Sequence, residues 1–140
     1  MITFTADVVF TGCPDLQKVK KWIIAVIQQC SKRVGVISYL FCDDEHMIKV
    51  NNSFLKHDTY TDIITFDYVE GDVISGDILI SVDRVKDNSQ RFNTSFENEL
   101  LRVIIHGIFH LLGQNDKTEN DAVEMRKLEN SALALWKTIV

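Results

Sequence analysis

Thr94–Asp116 reads TSFENELLRVIIHGIFHLLGQND. Thr94 and Glu97 carry the S/T-x-x-E spacing of a capping box ahead of an apolar run, which predicts a helix starting near Thr94. Gly113 supplies its stop. Within the run His106 and His110 stand four residues apart, on one helix face about one turn from each other, so both can bind one metal ion. If they are instead core residues bonded to carbonyls, they still require polar company. Burying an unpartnered imidazole costs something like 1 to 3 kcal/mol. On an unbroken helix Asp116 would lie about 9 Å beyond His110 and roughly 240° around the axis. A left-handed C-terminal cap at Gly113 would turn the chain back and bring Asp116 toward the two imidazoles. The pattern H-x-x-x-H-x-x-G-x-x-D is far more specific than H-x-x-x-H alone. It suits zinc held by three nitrogen or oxygen ligands with a fourth position open. A zincin peptidase carries its general base directly after the first His. Gly107 stands there, so a protease reading lacks its base.

The elements on either side follow from periodicity. ITFTADVVF near the start alternates and is β-rich, predicting a first strand. Leu16, Val19, Trp22, Ile23, Val26, Ile27 and Cys30 keep helical spacing after Pro14. VGVISYLF reads as a second strand, and DDEHMIKVNNSF as a short helix with acids at its N-terminus and Met47, Val50 and Phe54 on one side. TDIITFDY and GDILIS read as two more strands, separated by the turn-prone VEGDVISG. After the His helix, TENDAVEMRKLENSALALW is helical, with Ala122, Met125, Leu128, Ala132 and Leu135 as its inner stripe. The order β, α, β, α, β, β, α, α predicts one α+β, or mixed α/β, domain over residues 1–140: a small four-stranded sheet packed with about five helices, with the metal site at the end of one helix.

Composition agrees with a single core. The 140 residues are 46% apolar and 25% charged, with one Pro, six Gly, and no repeat or low-complexity tract. The opening MITFTADVVF has no basic patch followed by an apolar stretch, and runs such as WIIAVI are far shorter than a bilayer span. A cytoplasmic protein with no membrane partner is expected. Cys13, Cys30 and Cys42 are odd in number and lack C-x-x-C spacing, so they are expected to be reduced thiols, buried as small hydrophobes. The net charge of −5 repels polyanions at long range, so any nucleic-acid contact must be local. Lys18, Lys20, Lys21, Lys32 and Arg33 fit a solvated helix face about as well as a phosphate track. Asp58 and Asp62 are either turn residues or, if their loop folds over the His helix, carboxylates that orient water at the metal. His46 and His57 have no partner at metal spacing and are expected at the surface.

HGIFHLLGQND resembles the signature of the YbeY family, bacterial single-domain metal-dependent endoribonucleases implicated in ribosomal RNA maturation. NNSFLKHDTYTDIITFDY, from Asn51 to Tyr68, is similar to that family's second motif, GDILIS to its following strand, and ENELLRVIIHGIFHLLG to its metal helix. The resemblance implies a zinc-dependent, single-strand endoribonuclease with ribosomal RNA precursors as substrate, a metal-activated water as nucleophile, and the small ribosomal subunit or an assembly factor as partner. DNA is not an expected substrate. The family's three His ligands fall on His106, His110 and Asp116, the last a departure that adds negative charge. A second departure is Leu55, where the family carries an Arg important for activity. Lys56 beside it can offer phosphate a point charge but not a bidentate fork. Lys56 and Asp62 are the catalytic candidates, and Met125 corresponds to a Met near the family's site. The other class of function compatible with Leu55, Asp116 and the acidic charge is a non-catalytic ribosome-assembly or RNA-binding factor with a structural metal.

Overall fold

The structure is a computed structural model that describes residues 1–54 and 61–140, and of Phe54 only the backbone. Its elements are β1 (Ile2–Ala6), α1 (Leu16–Gln29), β2 (Arg33–Cys42), α2 (Asp44–Phe54), β3 (Ile63–Asp67), β4 (Val73–Ser81), α3 (Val82–Arg91), α4 (Phe96–Leu111) and α5 (Glu119–Trp136). One four-stranded sheet runs in the order β1-β2-β4-β3. β1, β2 and β4 are parallel, and β3 lies antiparallel on β4 with Ile63 opposite Ile80.

Alternation along the strands divides the core. Ile37, Tyr39, Phe41, Ile78 and Ile80 face the helices α1, α3, α4 and α5. Cys42 and Ile64 face the other way, onto Met47 of α2. α4 lies in the middle of the larger layer, apolar nearly all round, as a helix covered on most sides must be. A Cβ on Gly107 would stand 3.0 Å from Ile78 and 3.1 Å from Ile63. The helix therefore rests its backbone almost directly on the sheet there. The Tyr39 hydroxyl donates to the Ile104 carbonyl at 2.9 Å, tying α4 to β2. Trp22 Nε1 donates to the Ala132 carbonyl at 2.7 Å and so ties α1 to α5.

Several boundaries differ from the sequence reading, each for a local reason. β1 ends at Ala6: the Asp7 N–H makes a last bond to the Phe41 carbonyl at 3.1 Å before the chain leaves the sheet, and Phe10 turns to make edge contacts with Phe41 and Phe96. The turn before β4 is short, centred on Gly71 at φ +57°, so Val73–Gly76 already belong to the strand. α3 is a helix that the pattern did not place. Its inward face is only Val82, Val85 and Ser89, too thin a stripe to register among ten mostly polar residues. The N-cap of α4 is Ser95, which accepts from the Asn98 N–H at 3.0 Å, while Thr94 accepts from the Asn98 side chain. On α5, Ala122 is exposed and Glu129 is buried. Cys42 is buried as expected, but Cys13 and Cys30 are exposed, and all three are free thiols.

Candidate metal centre

α4 ends in a Schellman arrangement. The Gly113 N–H donates to the His110 carbonyl at 3.0 Å and the Gln114 N–H to the Phe109 carbonyl at 2.9 Å. Gly113 sits at φ +98°, a left-handed conformation that costs a residue without Cβ little. The chain folds back over the helix end. Asp116 Oδ2 then lies 3.3 Å from His106 Nε2 and 3.4 Å from His110 Nε2. Potential ligand atoms of the three residues all fall within 4.8 Å of one another, and the imidazole rings meet edge to face with centroids 4.5 Å apart.

What lies behind the imidazoles decides whether this cluster suits a cation. His106 Nδ1 is 2.7 Å from Glu129 Oε2 and His110 Nδ1 is 3.0 Å from the Gln114 carbonyl. Both neighbours are acceptors and suit an Nδ1 that carries the proton, the tautomer in which each Nε2 lone pair is free to bind a cation beside Asp116. Two such lone pairs and one carboxylate oxygen converging on a half-exposed point are the donors of a three-ligand zinc site. The residues fit the ion.

Glu129 is only 4% exposed and is shared by three groups. Besides His106 it accepts from Arg102 Nη1 at 2.9 Å, and Arg126 Nη1 stands 3.6 Å away. Burial works against its ionisation, but the bonds from His106 and Arg102 and the nearby cations outweigh that and hold its pKa below the ordinary carboxylate value. For His106, burial disfavours the imidazolium, yet the bond and charge of Glu129, with the charges of Asp116 and Asp62, raise its pKa. Asp62 lies at the mouth of β3 in the same cleft, of about 440 Å³. Burial pushes its carboxyl up, against the pull of His106 and of its own backbone amides. Glu99, buried two turns before His106 and on the same wall, is also raised, chiefly by burial and despite Arg102.

Among the sequence candidates, the structure thus brings together His106, His110, Asp116 and Asp62, with Gly113 forming the turn. Lys56, with Leu55, His57 and Asp58, lies outside the described residues. His46 is elsewhere, 3.5 Å from Asp7. Met125 is core. Sequence reasoning missed Glu129, Arg102 and Arg126. The signal for Glu129 was an acid on the inner stripe of α5, four residues after Met125 and three before Ala132.

Comparison with known proteins now bears on the centre. Residues 11–137 match the family model described as Endoribonuclease YbeY. The chain belongs to the YbeY family. It is 52% identical over 126 residues to the Endoribonuclease YbeY of Bacteroides fragilis, covering 89% of this chain and 91% of that one. The Flavobacterium johnsoniae member of the YbeY family is 48% identical over 136 residues, 97% of each chain. The solution structure of TM1509 from Thermotoga maritima superposes with a TM-score of 0.69 at 26% identity, covering 99% of this chain and 93% of that one. Among the described residues no helix is long and apolar enough to cross a membrane.

Proposed function

We propose that the chain is a zinc-dependent endoribonuclease that acts on ribosomal RNA precursors in the cytoplasm, with His106, His110 and Asp116 as the metal ligands. The single observation that carries the reading is the convergence of the two Nε2 atoms on Asp116, each imidazole held from behind by an acceptor at its Nδ1. Family membership supports RNA as substrate, and the relatives' name supports endonucleolytic cleavage.

When bound, zinc supplies Lewis acidity and makes water a nucleophile at neutral pH. The protein's part is to hold and move protons around it. Asp62, its carboxyl raised by burial beside His106, is suited to take a proton from the attacking water and to orient it. Glu129 keeps His106 in the tautomer that leaves Nε2 open. Lys56, by its place in the motif, supplies a point charge to the phosphate. The small ribosomal subunit or an assembly factor is the partner that would present such an RNA.

The test uses scrupulously nuclease-free protein, a structured ribosomal RNA fragment and a His110→Ala control. The parent, carrying about one zinc per chain, cuts the RNA, and the control does not. Full zinc with no cleavage under any condition would leave the other class of function, a non-catalytic RNA-binding or assembly factor with a structural metal.

A further inference from the structure

The cleft that holds the three candidate ligands has two features with no part in holding them. Phe92, the residue that ends α3, lines the cleft yet is 60% exposed. Its ring carries the Arg91 guanidinium at 5.7 Å. Arg126, on α5, lines the same cleft with its side chain 57% exposed. The two arginines of this wall are not equivalent. Arg102 is committed, giving one bond to Glu129 and one to Asn130 at 2.9 Å each and leaving 17% of its side chain exposed. Arg126 makes, among the described residues, one ion pair, to Glu129 at 3.6 Å. That oxygen already accepts from Arg102. Much of the charge of Arg126 therefore faces the cleft. Because the other oxygen of Glu129 touches His106, this guanidinium stands beside the ligand cluster, not at the far end of the cleft.

In a chain of net charge −5, a solvent-facing guanidinium and an exposed aromatic ring lining one cleft are a pair that single-stranded nucleic acid uses. The cation tracks the phosphodiester and the ring takes an unstacked base. A duplex offers no free base face. Resting on the reading given above, we infer that the cleft binds single-stranded RNA at two points outside the ligand cluster: Arg126 holds a phosphate neighbouring the scissile one, and Phe92 stacks a base.

The two contacts leave different signatures. Binding of a fluorescein-labelled oligouridylate to the zinc-loaded full chain is measured across a salt series, with the RNA checked for integrity on a gel. Each phosphate contact adds about 0.7 to the slope of log affinity against log salt for a single strand. Arg126→Ala should lower the slope by about that much, and Arg126→Lys should restore it. Phe92→Ala should lower affinity roughly five- to a hundred-fold at every salt concentration with the slope unchanged, and Phe92→Tyr should bind like the parent. Among the described residues Phe92 makes no contact with the ligand cluster, so zinc content and thermal midpoint of Phe92→Ala should stay at parent values, while Arg126→Lys, which keeps a cation beside Glu129, is the matched control for Arg126→Ala. A parent-like slope in Arg126→Ala or parent-like affinity in Phe92→Ala overturns the assignment. If the parent still cuts RNA in that case, only the assignment falls. Failure of the parent to bind RNA at all overturns both it and the proposed function.

Discussion

Glu129 is the residue on which the ligand cluster turns, because one carboxylate backs His106, accepts from a half-buried arginine and faces a second. Glu129→Gln keeps the shape but can no longer accept as an anion. It should lower zinc affinity about 10- to 100-fold, read by competition with a chelator. The same pair sets a pH window for the metal-free protein. Because the His106 pKa is raised, its contribution to stability is complete below the unfolded value and is lost as pH rises through the folded one. Because the Glu129 pKa is lowered, its contribution is present above the unfolded value and is lost as pH falls through the folded one. The stability gap between parent and Glu129→Gln should therefore be widest between those limits and narrow on both sides. Thermal unfolding of metal-free protein across pH measures it, and a gap independent of pH would refute the pairing. Asp116 allows a sharper comparison. Asp116→Ala leaves two imidazoles and should lose more zinc affinity than Glu129→Gln. Asp116→His should keep near-equal zinc content and move the pH profile of RNA hydrolysis toward acid, since a neutral ligand leaves the ion a stronger Lewis acid.

α4 is held at two glycines for two different reasons, and substitutions separate them. At Gly113 a Cβ would meet nothing within 4 Å, but the residue sits at φ +98°, so the strain of a substitution there is purely in the backbone. Gly113→Val should cost about 1 to 2 kcal/mol or more and loosen zinc together with the turn that delivers Asp116. Gly107 has ordinary backbone, but a Cβ there would press on the methyl groups of Ile78 and Ile63 at 3.0 and 3.1 Å. Gly107→Ala should cost about 1 to 3 kcal/mol as overpacking while leaving zinc affinity close to the parent's, since the ligands lie on another face. Calorimetry and chelator competition on both variants check the split. The same helix shows what a sequence can reveal. His106, His110, Gly113 and Asp116 lie within eleven residues, and helix periodicity plus one turn is enough to bring them to one place. Glu129 is 23 positions from His106, so their contact depends on how α5 packs across α4, which no local pattern encodes. The strands and the long helices announced themselves through alternation or a full apolar stripe. α3 did not, because the three inward residues of a mostly polar decapeptide carry too little signal, and the exposed Cys30 was misread because it continues the α1 stripe one step past the helix end.

The molecule as a whole is assembled by cross-ties between elements far apart in sequence. The bond from Trp22 Nε1 to the Ala132 carbonyl spans 110 positions and seats the helix that carries Glu129 and Arg126. Trp22→Phe removes that donor and leaves a buried carbonyl without it, at about 1 to 3 kcal/mol. Because α5 would seat less firmly, zinc affinity should fall as well. Denaturant unfolding with and without zinc should show the larger loss in the zinc-loaded protein, and an equal loss in both would mean that the seating of α5 and the ligand cluster are uncoupled. The same junction has an optical consequence. The chain has two tryptophans, and both are here: Trp22, fully buried, meets Trp136 edge to face with ring centroids 5.2 Å apart. Their emission and near-ultraviolet circular dichroism arise at the root of the helix that supports His106, so an unlabelled sample reports directly on how that helix is seated as metal is titrated in or stripped out.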